Sequence, residues 1–177
     1  MRRVIVPLTA MVAVGIPMAR WDRVLAQRGG GIVDLELAGS PQQAQHLLDA
    51  WGDTGRAVAR RSLLTDQVWL TTYVATLVST VPWARARHER RGSRLARLDR
   101  AVVLAAVGAG ACDVVENSLL LKVVAGDTAH APSARLAALT KFGLVGAVVL
   151  WLGLAARPAR SAQDLHESPP GSTHARS

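Results

Sequence analysis

The chain has 177 residues, 50% of them apolar or cysteine and only 4% aromatic, with a mean hydropathy of +0.20. This composition is unusual for a soluble domain and favours membrane segments. The formal charge of +8 comes mainly from arginines beside apolar runs, a pattern typical of membrane-protein flanks that argues against a nucleic-acid-binding groove. The single Cys112 excludes an internal disulfide and a cysteine metal cluster.

Four apolar runs predict an all-α, integral membrane four-helix bundle, with spans at residues 4–19, 62–83, 101–126 and 136–156. The last three reach the length of about 20 residues that a bilayer core requires. The first run is shorter, carries Pro7 and Pro17, and follows a basic start as a signal peptide would. Because no small-x-small cleavage site ends it cleanly, we interpret it as a retained, kinked span.

The loop at residues 20–61 contains a predicted short helix. Ser40 and Pro41 form a helix start, with serine as the cap and proline at the first helical position. The apolar side of this helix consists of Ala44, Leu47, Leu48 and Trp51. Gly52 and Gly55 are expected to break it before the second span. The pattern fits an interfacial helix whose apolar side faces lipid or the mouth of the bundle, and it fits an ordinary solvated helix equally well.

The basic loops predict the orientation in the cell membrane. The loop at residues 85–100 is densely basic and is expected in the cytoplasm, which places both termini there as well. The loop at residues 126–133 has no Lys or Arg and is expected outside, together with the loop at 20–61, whose six arginines are partly offset by five acids. Residues 158–177 are rich in Ser, Pro, His and charge, and predict a disordered cytoplasmic tail.

Polar residues interrupt the third span. Asp113, Glu116 and Asn117 are spaced i, i+3 and i+4, which places all three on one helical face. Lys122 lies about half a turn away and is expected to reach the outer surface instead.

The second and fourth spans carry matching polar positions. Asp66, Trp69 and Tyr73 share one face of the second span, and Lys141 is the one charge within the fourth. At about 1.5 Å per residue, the charged groups lie roughly 6 to 18 Å from the outer ends of their helices. An outward-facing cavity between the second, third and fourth helices could therefore hold them all. Each unpaired charge in lipid would cost at least about 2.5 to 3.5 kcal/mol, so they are expected to face one another or a cavity.

Two interpretations of this cluster stay open. Lys141 can form a purely structural ion pair with Asp66 or Glu116, while Asn117 hydrogen-bonds across helices. However, three acids face one inward lysine, and surplus acids must be protonated or bind a cation. A carboxyl group in an apolar cavity can remain a proton donor at neutral pH. Beside the rings of Trp69 and Tyr73, such a donor suits protonation of an alkene and cation–π stabilisation of the carbocation.

Other chemistries fit less well. Magnesium-dependent diphosphate chemistry would require clustered aspartates near the surface and several bases, and the core offers only Lys141. All five histidines lie outside the spans, and no catalytic triad, phosphate-binding loop or dinucleotide motif is present. We therefore expect no metal, no cofactor and no nucleic-acid partner.

A set of short motifs carries a family resemblance: Trp51-Gly52, Gly55-Arg56, Asp66, and D-x-x-E-N at Asp113, Glu116 and Asn117. The chain resembles, over about residues 4–156, small four-span actinobacterial membrane proteins that are similar to the membrane-bound terpene cyclases of meroterpenoid pathways, including the drimentine and indolosesquiterpenoid types. The resemblance implies protonation of a prenyl chain already joined to an aromatic or indole partner. It matches Asp113 and Glu116 to the acid positions, Asn117 to their partner and Asp66 to the second-span acid.

The leading interpretation is therefore a membrane-bound terpene cyclase of isomerase or lyase type in isoprenoid secondary metabolism, acting on a farnesyl-type chain that enters from the bilayer. Glu116 or Asp113 would be the general acid, and the other carboxyl group would orient it together with Asn117. Lys141 and Asp66 would set the charge balance, and Trp69 and Tyr73 would shield the cation. The alternative is a non-enzymatic transporter or scaffold subunit whose polar cluster holds the helices together.

Overall fold

The computed structural model describes residues 2–157, and all regular structure within them is helical, as predicted. The elements are α1 (Arg2–Ala26), α2 (Ile32–Glu36), α3 (Pro41–Arg90), α4 (Asp99–Val124) and α5 (Ala131–Ala156). Short 3₁₀ turns at Arg94–Leu98 and Thr128–His130 lead into α4 and α5. The predicted disordered tail lies outside the described residues.

One helical segment of residues 2–157 is both long enough and apolar enough to cross a membrane. It comprises α5 with its preceding turn, Thr128–Ala156. Its composition agrees with the fourth predicted span.

The helix boundaries differ from the predicted spans by several residues, and α3 runs to Arg90, seven residues beyond the predicted end of the second span at residue 83. The first helix, α1, reaches Ala26, seven residues beyond the predicted end at residue 19, and includes both prolines. It continues because Leu25, past the apolar run, is fully buried against the loop and α3. The starts of α4 and α5 lie two and five residues before the predicted ones.

The predicted interfacial helix and second span are one element, α3, with a kink inside it. The start is as predicted: Ser40 Oγ accepts a hydrogen bond from the Gln43 N–H at 3.2 Å, and Pro41 occupies the first position. Gly52 forms the kink, with φ 59° and ψ −171°, a conformation open essentially to glycine alone. Gly55, by contrast, does not break the helix. It is buried, and a Cβ at Gly55 would lie 2.5 Å from Trp51 Cβ, so its role is close packing.

The first segment of α3 buries its apolar side inside the protein. Ala44, Leu48 and Trp51 are fully buried in a cluster with Leu25 and Leu35, among others. Of the three surroundings predicted for this apolar side, which were lipid, the mouth of the bundle and solvent, it therefore faces the mouth of the bundle. Each large apolar side chain fully buried there contributes about 1.5 to 3 kcal/mol.

Hydrogen bonds fix the short α2 beside this cluster. Trp51 Nε1 donates to the Gly30 carbonyl at 2.8 Å. The Ile32 N–H donates to Asp22 Oδ1 at 2.8 Å, and the Gly31 N–H donates to Asp34 Oδ2 at 2.6 Å. These bonds hold α2 in one position over one end of the bundle.

The helix packing leaves one seam open. The long α3 packs against α1 on one side and against α4 on the other, while α5 packs mainly on α4 and less on α3. No substantial contact joins α1 to α4 or α5. The groove between α1 and α5 is therefore closed at the back by α3 and open at the front.

At the opposite end from α2, the bundle is closed by the turn between α3 and α4. The rings of His88 and Trp151 lie 4.9 Å apart, and Trp151 Nε1 donates to the Leu95 carbonyl at 3.0 Å. The Arg91 guanidinium donates to the Leu154 carbonyl at 3.0 Å and to the Arg157 carbonyl, and so caps the carboxyl end of α5.

Candidate functional site

A cavity of about 480 Å³ lies in the groove between α1 and α5. Its wall consists of Met11, Met18, Val33, Glu36, Asp66, Trp69, Tyr73, Thr76, Leu77, Asp113, Lys141, Phe142 and Val145. The wall is mainly apolar, with its carboxyl groups gathered around one amine. A cavity lined by α3, α4 and α5 is thus present where the second, third and fourth predicted helices meet, but α1 and α2 also form part of its wall, because they pack against α3.

The ammonium of Lys141 is the centre of the polar cluster. Its Nζ lies 2.7 Å from Glu116 Oε2, 3.1 Å from Asp113 Oδ1 and 3.9 Å from Glu36 Oε2. The Glu116 contact is a close ion pair whose angles lie outside those of a hydrogen bond, whereas Lys141 donates a hydrogen bond to Asp113. All three residues of α4 and α5 in this cluster are buried, since the i, i+3 spacing turns both acids towards α5.

The side chain of Asn117 bonds to a different acid from the one expected. Its Nδ2 donates to Asp66 Oδ2 at 2.6 Å, joining α4 to α3. Asn117 therefore orients Asp66, and does not orient Asp113 or Glu116 as the sequence interpretation had it. The reason is helical geometry. Asn117 lies four residues, about one turn, beyond Asp113 along α4, and this brings its amide closer to Asp66 on α3.

A fourth carboxyl group, Glu36, belongs to the cluster and was missed by the sequence interpretation. It closes α2 and lines the cavity beside Lys141. Desolvation by burial raises the pKa of Glu36 to about 8 from its ordinary 4.5, against the attraction of Lys141 and reinforced by the charges of Glu116, Asp66 and Asp113. The available signal was an acid between Leu35 and Leu37 in a loop otherwise rich in arginine.

Aromatic rings form the wall next to the acids. The Trp69 and Tyr73 rings lie 5.1 Å apart at 51°, and Trp69 Nε1 donates to the Met11 carbonyl at 3.1 Å, tying α3 to α1. Gly15 makes room for that indole, since a Cβ there would lie 3.3 Å from Trp69 Nε1. A third ring, Phe142, lies 4.9 Å from Lys141 Nζ and was also missed, because adjacent residues of a helix do not share a face in the sequence pattern.

Three buried polar atoms in this region have no hydrogen-bond partner among residues 2–157. One is the Tyr73 hydroxyl, which lies beside Asp113 in the cavity wall, and the others are the two carboxyl oxygens of Glu116, of which Oε2 is ion-paired with Lys141. Tyr73 is only 7% exposed and Glu116 is fully buried. Buried polar atoms are almost always paired, so the Tyr73 hydroxyl and Glu116 Oε1 point to a partner outside the chain.

The predicted site residues thus divide into two layers. Asp66, Trp69, Tyr73, Asp113 and Lys141 line the cavity, whereas Glu116 and Asn117 lie behind it and hold Lys141 and Asp66. Lys122 is exposed and separate, as expected.

Within residues 2–157 no group of three or more His, Cys, Asp or Glu side chains is arranged to hold a metal ion, and the acids converge on an ammonium group instead. Comparison with known protein families, with curated proteins and with solved structures finds no match for this chain.

Proposed function

We propose that the chain is a membrane-embedded terpene cyclase that protonates a farnesyl-type prenyl chain and closes it into rings. The proposal rests on the composition of the cavity. The cavity is mainly apolar, its acidic groups outnumber its one base, and these acidic groups lie beside aromatic rings.

The membrane location is supported by an inverted distribution of polarity. Leu104, Leu136 and Leu150 are 72%, 68% and 63% exposed, whereas Asp113 and Glu116 are 2% and 0% exposed. Water would penalise the first set, and lipid would penalise the second if it were turned outward. Four helices, α1 and α3 to α5, therefore span the cell membrane in this proposal, with α2 outside and both termini in the cytoplasm.

The proton donor is assigned by charge balance. Balancing the Lys141 ammonium takes one carboxylate, and the closest is Glu116 at 2.7 Å. The other three carboxyl groups, Glu36, Asp66 and Asp113, are the ones at the cavity wall, where a donor must be to reach a substrate. Glu36 still holds its proton at neutral pH, because its pKa is raised to about 8.

The reaction requires no redox partner. The carboxyl O–H bond breaks as its proton adds to the CH carbon of the terminal alkene. The alkene π electrons form the new C–H bond, and a tertiary cation is left on the neighbouring carbon. The next alkenes attack in turn, each forming a C–C bond, and the last cation loses a proton to a carboxylate. Trp69 and Tyr73 offer π faces to the cations, a contribution of about 0.5 to 2 kcal/mol each. Substrate and product are isomers.

The substrate class follows from the same wall. Its surplus of acids disfavours a diphosphate head group, and its open seam towards lipid suits a prenyl chain joined to an uncharged aromatic or indole partner. The resemblance to membrane-bound terpene cyclases of meroterpenoid pathways implies the same class.

The test is incubation of isolated membranes with prenylated indoles, with the product identified by an unchanged mass and a shifted retention time. Asp66→Asn, Asp113→Asn and Glu36→Gln should each lower turnover, and the donor's variant should abolish it. Glu116→Gln should also lower turnover, but indirectly. Lys141 would then pair with Asp113, which is one of the candidate donors. Full turnover in all four variants would remove the proposed mechanism.

A second candidate is a non-enzymatic membrane protein, such as a transporter or a scaffold subunit. It is favoured by the bonds that the polar residues make between helices: Lys141 joins α5 to α4, and Asn117 joins α4 to α3. In that case the same variants would lower the amount of assembled protein in the membrane, and none would remove a specific product.

A further inference from the structure

Acidic groups outnumber basic ones at the cavity. The carboxyl groups of Glu36, Asp113 and Glu116 lie within 4 Å of the Lys141 ammonium, and Asp66 lines the same cavity. Ionised surplus carboxylates in an apolar wall are costly unless a cation approaches them. An occupant with a positive charge would remove that cost, and an occupant with a phosphate or carboxylate would increase it.

Unpaired polar atoms give an independent indication of an occupant. The Tyr73 hydroxyl is buried in the wall without a hydrogen-bond partner, and it lies beside Asp113. A phenol oxygen can accept an N–H, and so can an Asp113 carboxylate. A ligand N–H directed between these two groups would satisfy both.

The remainder of the wall defines the rest of the ligand. Met11, Met18, Leu77 and Val145 are apolar, and the rings of Trp69 and Phe142 stand beside the charged region. The seam between α1 and α5 leaves the cavity accessible from the side. The ligand should therefore have one small cationic head and an apolar chain.

We propose that the cavity binds an amphiphilic ammonium compound, a protonated secondary or tertiary amine on an apolar chain, with its N–H directed at Asp113 and Tyr73. This goes beyond cyclisation and does not depend on it, since it is reversible binding in which no covalent bond changes. Amine binding can therefore be observed in a protein that shows no turnover, and turnover can be observed in a protein that does not bind the amine.

The direct experiment is isothermal titration calorimetry of the purified full chain in neutral maltoside micelles, with dimethylhexylamine as the probe and empty micelles as background. The amine carries its charge throughout the range used, since alkyl ammonium groups titrate near about pH 10. We expect saturable binding of the amine and none of its uncharged isopropyl isostere. Absence of amine binding, or equal binding of the isostere, overturns the proposal.

Variants locate the site. Asp113→Asn and Asp66→Asn should weaken amine binding roughly ten-fold or more, the loss of one charge-assisted bond. Trp69→Leu should weaken it roughly two- to thirty-fold through the lost cation–π contact. Asp53→Asn, an exposed acid on α3 away from the cavity, is the control and should bind as wild type does. Unchanged binding in folded Asp113→Asn and Trp69→Leu places the amine elsewhere and overturns the proposal.

The pH dependence gives a test that needs no destabilising variant. The groups facing the head are Glu36 on α2, Asp66 and Tyr73 on α3, Asp113 and Glu116 on α4, and Lys141 on α5. Amine binding should strengthen from about pH 6 to about pH 9 as Glu36 loses its proton, and Glu36→Gln should flatten that rise. A constant or falling affinity in wild type contradicts the assignment.

Discussion

Lys141 is the residue on which the polar cluster depends. It lies within 4 Å of three carboxyl groups from two other helices and is the one base in the cavity wall. Sequence reasoning found Lys141, Asp113, Glu116 and Asn117 because one helical face can be read from spacing alone. It could not find Glu36, since no periodicity in a loop says which buried group a side chain will meet.

Replacing Lys141 should therefore destabilise the protein strongly. Lys141→Met leaves buried carboxylates without a cation, and breaking a buried pair in this way costs about 3 to 5 kcal/mol. Thermal unfolding in detergent should show a large fall in Tm, partly restored by adding Glu116→Gln. Lys122→Met, at an exposed lysine of α4, is the matched control and should have little effect. Equal Tm values for the two lysine variants would contradict the ion-pair assignment.

Glu36 predicts how stability changes with pH. Its folded-state pKa, about 8, lies above its ordinary 4.5, so between these values the folded protein keeps a proton that the unfolded chain has lost. The contribution of Glu36 to stability is therefore greatest below about pH 4.5 and is lost as the pH rises to about 8.

The measurement compares Tm with pH for the wild type and for Glu36→Gln, which has no titrating group. The wild-type Tm should fall more steeply from about pH 6 to about pH 8 than that of the variant. Glu89→Gln, at an exposed glutamate near the other end of the bundle, should follow the wild type. Parallel curves for all three proteins would show that Glu36 titrates normally.

At the scale of elements, the helices and the cap of α3 were predicted better than the connections. Ser40-Pro41 starts α3 as expected, and α4 and α5 begin near their predicted positions. The continuity of α3 was not predicted, because glycine indicates where a helix can bend but not whether it resumes. Gly52 bends the chain at positive φ, whereas Gly55 stays helical under Trp51.

The kink at Gly52 should be sensitive to any side chain. Gly52→Ala forces a Cβ into a conformation that costs about 1 to 3 kcal/mol, although no neighbouring atom obstructs it. The matched control is Gly146→Ala in the middle of α5, where the backbone is helical and the space is also open, and alanine should be neutral or stabilising. If the two variants unfold at the same temperature, the kink does not require glycine.

At the scale of the whole molecule, the proposed membrane location rests on the distribution of polarity. Lipid around the bundle would account for both the buried acids and the exposed leucines, and the open seam between α1 and α5 would then face lipid as well. Hydropathy read from the sequence predicted the spans, but which helices leave a seam depends on packing that no single segment encodes.

The topology can be tested in intact cells with single cysteines in a Cys112→Ala background. Ser93→Cys, in the basic turn, should react with a membrane-impermeant maleimide only after lysis, because that turn is expected in the cytoplasm. Asp127→Cys, between α4 and α5, should react in intact cells. Equal labelling of both sites before lysis would contradict the proposed orientation.

The central claim, that a carboxyl group in this cavity protonates an alkene, is tested most directly by deuterium incorporation. Membranes containing the wild-type chain are incubated with a farnesylated indole in heavy water, and the product is analysed by mass spectrometry. The account predicts a cyclised isomer that carries one deuterium on the former CH carbon of the terminal alkene. The variant in which the donor is replaced by its amide should give no such product. A cyclised product without deuterium, or formation of the same product by Asp66→Asn, Asp113→Asn and Glu36→Gln alike, would contradict it.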